Sequence, residues 1–103
     1  IIMPNTILTT NTIINTIKEH MSDIKKFSVE EIALFGSVAR GEASENSDLD
    51  VLVLMKRKTL RDYMGLKFYL EELTGRKVDL VMAENLKPAL RQAILSEVIS
   101  IEN

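Results

Sequence analysis

Residues 30–55 read EEIALFGSVARGEASENSDLDVLVLM, and this stretch decides how the chain folds. Glu30 to Phe35 alternates as a short strand, with Ile32 and Leu34 on one face and Ala33 and Phe35 on the other. Gly36-Ser37 breaks it, and Val38 to Gly41 can form a short helical turn. Glu42 to Ser47 is a polar loop, and Asp48 to Met55 is a second strand. The run Val51 to Met55 is apolar on both faces, as expected of a central strand. The link between the two strands is too short for a crossover helix, so they are expected to pair antiparallel.

Upstream, Ile13, Ile14, Ile17, Met21 and Ile24 recur at helical spacing and predict a helix over about 11–26, with Thr10 or Asn11 as its N-cap. Residues 1–9 read as an irregular start, and Ile1-Ile2 receive no structural assignment. Downstream, Leu60, Tyr63, Leu66, Leu70 and Leu73 form the stripe of a helix over 60–74. Thr59 stands at its N-cap and Gly75 where a left-handed C-terminal residue is expected; Arg76 and Lys77 lie beside the negative end of its dipole. Lys77 to Met82 is a third strand, and the helix before it permits a parallel pairing with the second. A last helix, over 86–97, carries Leu86, Leu90, Ala93 and Ile94, with Pro88 in its first turn. The order is α-β-α-β-α-β-α. The expected fold class is α/β (α+β), a small mixed three-stranded sheet with flanking helices, as one domain over residues 1–103.

The bulk composition narrows the function classes. With 46% hydrophobic and 27% charged residues the chain is ordinary for a soluble globular protein. No apolar run approaches a membrane span, and no charged n-region precedes a long apolar stretch, so neither membrane insertion nor a secretory signal is expected. The absence of cysteine excludes zinc-thiolate sites and fits a cytoplasmic setting. Thirteen basic residues against fifteen acidic ones give a net charge of -2, without the basic excess of a long nucleic-acid groove.

Chemistry concentrates in three acids. Asp48 and Asp50 are i and i+2 on one strand, so both carboxylates point to the same face, with Cα atoms roughly 6.5 Å apart. Leu49 and Val51 point into the core. Asp79 interrupts the apolar run of the third strand, a costly place for an acid unless something compensates it. If the second and third strands are neighbours in register, Asp79 lies beside the pair, and three like charges there resist ionisation. A divalent cation removes that conflict, and an oxygen-only donor set suits Mg2+, or Mn2+ in its place. A lone Asp-x-Asp is common in surface turns, so the weight rests on Asp79. A calcium loop beginning at Asn46 fails, because Val51 and Arg57 stand where Gly and Glu are required.

Gly36-Ser37 is the second element. A strand that ends in Gly-Ser and enters a helical turn presents free backbone N–H groups to phosphate. Gly36 permits close approach, the Ser37 hydroxyl can donate, and Arg40 can add a positive charge to the same anion. Each feature alone is commonplace. Together, with ten residues between Ser37 and Asp48, they set a phosphate cradle beside carboxylates.

This arrangement resembles the signature of the polymerase-β-like nucleotidyltransferase superfamily: Gly36-Ser37, ten residues, then Asp48-Leu49-Asp50. The string GSVARGEASENSDLDVLV, Asp79 within KVDLV and the ending LKPALRQAILSEVISI resemble its smallest branch, the minimal nucleotidyltransferases of prokaryotes. The resemblance spans about residues 29–101. It implies that Gly36 and Ser37 hold the β- and γ-phosphates of ATP. It also implies that Asp48, Asp50 and Asp79 hold two Mg2+ ions, and that Asp79 helps deprotonate an acceptor hydroxyl. Many members of that branch are encoded beside a HEPN-domain protein and act as antitoxins that transfer AMP to the HEPN toxin. The short chain leaves no module to grip a polynucleotide or small acceptor. A macromolecular partner or a homo-oligomer is therefore expected to supply the acceptor surface. Two other readings stand beside this one: an antitoxin that neutralises its partner by binding alone, and a nucleotidyltransferase of small molecules. His20, Lys56-Arg57-Lys58, Tyr63, Tyr69 and the five methionines are read as surface or packing residues, and Glu42 either stabilises the Arg40 loop or faces solvent.

Overall fold

The computed structural model describes residues 6–44 and 46–102. The reading of residues 1–5 as irregular, and of Glu45 as part of the polar loop, lies outside them. The described elements are α1 (Thr6–Glu19), α2 (Met21–Ile24), a 3-10 turn (Lys25–Phe27), β1 (Val29–Phe35), α3 (Gly36–Ala39) and β2 (Leu49–Met55). There follow α4 (Leu60–Thr74), β3 (Val78–Met82), a second 3-10 turn (Ala83–Asn85), α5 (Pro88–Glu97) and β4 (Ile99–Ile101). Among these residues no helix is long and apolar enough to cross a membrane.

The sheet has four strands rather than the expected three, in the order β3-β2-β1-β4. The added strand, β4, pairs antiparallel with β1 through Ile32–Ile101, Ala33–Ser100 and Leu34–Ile99. Three residues are too few for a period-two pattern to stand out from the end of a helix. The other pairings are those expected: β1 with β2 antiparallel, β2 with β3 parallel.

The two faces of the sheet are covered unequally. Ile32 and Leu34 of β1, Leu49, Val51 and Val53 of β2, and Val78 and Leu80 of β3 join Ile13, Ile17, Met21 and Ile24 of the N-terminal helices and Leu66 and Leu70 of α4 in the main core. The opposite face carries a small cluster of Ala33, Phe35 and Leu52, partly covered by Val81, Leu86, Ile94 and Val98. Burying Leu49 and Val51 in the main core obliges Asp50 to face the thinner side.

Helix ends differ from expectation where long-range contacts intervene. The first helix begins at Thr6, so Thr10 is not a cap; it is buried, and its hydroxyl donates to the carbonyl of Val38, tying α1 to α3. The predicted single helix breaks at His20, whose ring nitrogen meets the Thr16 carbonyl at 2.8 Å, and the chain leaves the following turn through Ser28 at φ 67°. Thr59 caps α4 as expected, accepting from the Asp62 amide at 3.1 Å, and Gly75 ends it at φ 67°. The last helix begins at Pro88 rather than 86, and Leu90 of its predicted apolar stripe faces outward.

Glu71, near the end of α4, fixes where β3 begins. Its Oε2 accepts the Val78 amide at 3.0 Å and the Lys67 ammonium at 2.9 Å. The Val78 bond, then Lys67, holds its carboxyl below the usual range. A lowered carboxyl stabilises the fold above its unfolded pKa, and the contribution is lost as pH falls through the folded value. Glu71→Gln is therefore expected to lower Tm at pH 7. The deficit relative to the unsubstituted protein should shrink progressively as the pH of the thermal scans is lowered below the ordinary carboxylate range.

Candidate active site

Strand register builds the site. Asp50 and Asp79 are direct partners across the parallel β2–β3 ladder, and partners in a ladder share a face. Asp48 lies one residue short of β2, exposed at the strand's entrance rather than within it as expected. Asp50 is half-buried and Asp79 exposed. Burial pushes the Asp50 carboxyl above the usual carboxylate range, the negative charges of Asp79 and Asp48 push it further, and Arg40 partly offsets them. The three predicted acids are thus electrostatic neighbours. Among the described residues, no three His, Cys, Asp or Glu side chains are gathered closely enough to hold a metal ion as they stand. The donor set is all carboxylate, and its central member carries a charge conflict of the kind a hard divalent cation relieves; the set matches Mg2+ or Mn2+ in donor chemistry, not in assembled geometry.

The predicted phosphate cradle sits against the same carboxylates. The last β1–β2 pair is Phe35 with Asp50, so the chain leaving β1 passes Asp50 at once. A Cβ at Gly36 would lie 2.1 Å from Asp50 Oδ2, and Gly36 has φ +74°. Both facts demand glycine: the left-handed conformation disfavours a side chain, and there is no room for one. Ser37 follows in the first turn of α3, and its carbonyl accepts the Glu42 amide at 2.9 Å, which closes the turn. Arg40, at the C-terminal end of that turn, donates to the Glu42 carboxylate at 3.4 Å.

Two residues of the site escaped the sequence. Glu97, at the end of α5, accepts the Gly36 amide at 3.0 Å through Oε1 and Arg40 Nη1 at 3.0 Å through Oε2. The Arg40 bond first, then the Gly36 amide, holds its carboxyl below the usual range. Arg76 donates to the carbonyls of Ser44 and Ser47 at 3.0 and 2.9 Å, pinning the loop that delivers Asp48. Sequence reading placed Arg76 only beside a helix dipole. No local pattern marks either residue, since their partners are 61 and about 30 positions away. Residues read as surface or packing take such roles. Arg57 bonds the Ser28 hydroxyl at 2.9 Å, Lys58 pairs with Glu84, and Tyr69 reaches Asp23 at 3.3 Å.

Comparison with known proteins agrees with this geometry. A model of the nucleotidyltransferase domain family matches residues 14–101. The chain is 40% identical over 96 residues to the protein adenylyltransferase MntA of Thermococcus cleftensis, covering 91% of this chain and 97% of that protein. It is 41% identical to a solved minimal nucleotidyltransferase, with a TM-score of 0.77, covering 87% of this chain and 93% of the other. A structure of the tri-AMPylated HEPN toxin of Shewanella oneidensis in complex with an MNT antitoxin shares the fold, at a TM-score of 0.58 and 21% identity, covering 95% of this chain and 72% of the matched one.

The charge conflict at Asp50 has a stability consequence of the opposite sign to that of Glu71. A carboxyl whose folded pKa is raised binds its proton more tightly when folded, so stability falls as pH rises from the unfolded value through the folded one. Asp50→Asn, free of added metal, is expected to raise Tm at pH 7 by about 2–4 °C, the shift that roughly 0.5 kcal/mol of relieved like-charge repulsion produces in a domain this small. Calorimetric scans at pH 7 and at about pH 3 check it: the gain should be present at the first and absent at the second.

Proposed function

The chain belongs to the nucleotidyltransferase domain family, and on that premise we propose that it transfers AMP from ATP to a hydroxyl of a HEPN-class partner protein, as the antitoxin of a cytoplasmic toxin–antitoxin pair. The observation that carries this reading is the alignment of Asp50 with Asp79 directly against Gly36, which joins an acidic cluster to an anion cradle.

In this proposal each residue has a defined task. The Gly36 amide and the Ser37 amide and hydroxyl hold the β- and γ-phosphates, and Arg40 neutralises part of their charge. Asp48, Asp50 and Asp79 would hold two Mg2+ ions, or Mn2+ in their place. Bound divalent cations supply charge neutralisation and Lewis acidity to an in-line displacement at the α-phosphorus. Asp79, exposed at the rim, faces the incoming hydroxyl and takes its proton. The acceptor oxygen forms a bond to the α-phosphorus, the bond from that phosphorus to the α,β-bridging oxygen breaks, and pyrophosphate leaves. The thin cover on this side of the sheet leaves it accessible to a macromolecular acceptor. Support for a protein acceptor comes from the adenylyltransferase relative, and support for a HEPN partner from the AMPylated toxin in the complex that shares the fold.

The test is transfer itself. The chain, ATP and Mg2+ are incubated with a candidate HEPN-class partner, and the products are weighed by mass spectrometry. AMP additions are expected with the unsubstituted chain. They should fall by more than about 100-fold with Asp50→Asn or Asp79→Asn, because outer residues of a metal site alone cost 10–100-fold. Protection from the toxin that survives Asp50→Asn, without transfer, would mean that the chain neutralises by binding.

A further inference from the structure

The helix α5 lies over the site with little holding it there. Of its ten residues only Ile94 and Glu97 are not exposed, and none is fully buried. Its firmest polar tie to the rest of the fold is the Glu97 carboxylate, which spends one oxygen on the Gly36 amide and the other on Arg40. Those are the donors that the proposed function assigns to phosphate. A main-chain N–H has one hydrogen, so a phosphate oxygen and Glu97 Oε1 cannot both take it at full strength.

We infer that Glu97 is an intramolecular occupant of the triphosphate cradle, and that nucleotide binds by evicting its carboxylate and releasing the C-terminal end of α5. The inference rests on the nucleotide-binding reading given above. The physical grounds are geometric and electrostatic. A carboxylate held by one amide and one guanidinium mimics a phosphate held by the same pair. It preserves the cradle in the absence of ligand, since Gly36 and Arg40 keep their bonds. It also adds negative charge to a place where Asp50, Asp79 and Asp48 already repel one another, so its departure relieves part of that repulsion. A competitor built into the chain lowers apparent affinity by the fraction of time the cradle stands open. The exposed helix behind Glu97 has few apolar contacts to lose, so eviction costs little beyond the two bonds that phosphate replaces.

The experiment compares the unsubstituted chain with Glu97→Ala and Glu97→Gln by calorimetric titration with a non-hydrolysable ATP analogue and Mg2+, and separately with inorganic triphosphate. If Glu97 holds the cradle closed about nine-tenths of the time, Kd for both probes should fall by about tenfold in Glu97→Ala. The fall should be smaller in Glu97→Gln, whose amide oxygen still accepts from Gly36. In the unsubstituted chain, hydrogen exchange across residues 88–97 should quicken when the analogue binds. Unchanged or weaker binding by both variants, with exchange elsewhere as in the unsubstituted chain, overturns the role of Glu97 and leaves the nucleotide reading standing. Failure of all three chains to bind either probe overturns both.

Discussion

The site depends on one pairing, that of Asp50 with Asp79 in the parallel ladder between β2 and β3. Hydrogen bonding of the backbone forces these two like charges onto the same face of adjacent strands. A slip of one residue would turn Asp79 into the core and leave Asp50 beside Val78 or Leu80. The main core forbids that slip, because Leu49, Val51, Val78 and Leu80 are all buried on the other side. Apolar packing therefore holds in place an electrostatic arrangement that would not form by itself. The energy lost to repulsion on one face is supplied by burial on the other.

Everything near the pair serves to present it. Glu71 fixes the start of β3, Arg76 ties down the loop before Asp48, and Thr10 holds α3 against α1. Gly36 gives up a side chain so that its backbone can pass Asp50. The N-terminal helices and α4 bury their apolar stripes under the sheet, while α5 is left nearly bare on the side where chemistry would take place. An uneven division of this kind suits an enzyme whose acceptor is large: the rigid half carries the acids, and the loosely packed half can give way.

Much of this was legible in the residues, and the reasons differ. Alternation in EEIALF and the apolar run after Asp50 fixed which side chains share a face, because strand period is a local property. The short link from Ser37 to Asp48 pointed to an antiparallel pair and the helix before β3 permitted a parallel one, because chain length limits connection. The Thr59 cap and Gly75 terminus were legible for the same local reason. What escaped was non-local. β4 is a strand only because β1 offers it an edge. Thr10 resembled a cap until Val38, 28 positions on, gave its hydroxyl a partner. Glu97 sits in an ordinary polar position of an exposed helix, and only the completed fold brings it to Gly36.

The most direct test of the central claim is to locate the cation. Mn2+ added with a non-hydrolysable ATP analogue broadens the NMR signals of nuclei near it. The account predicts that the amides of residues 36–37, 48–50 and 79 broaden first and together, at sub-stoichiometric metal. Broadening that spares residue 79, or that centres instead on Glu30, Glu31 and Glu102, which line a separate cavity, would contradict it.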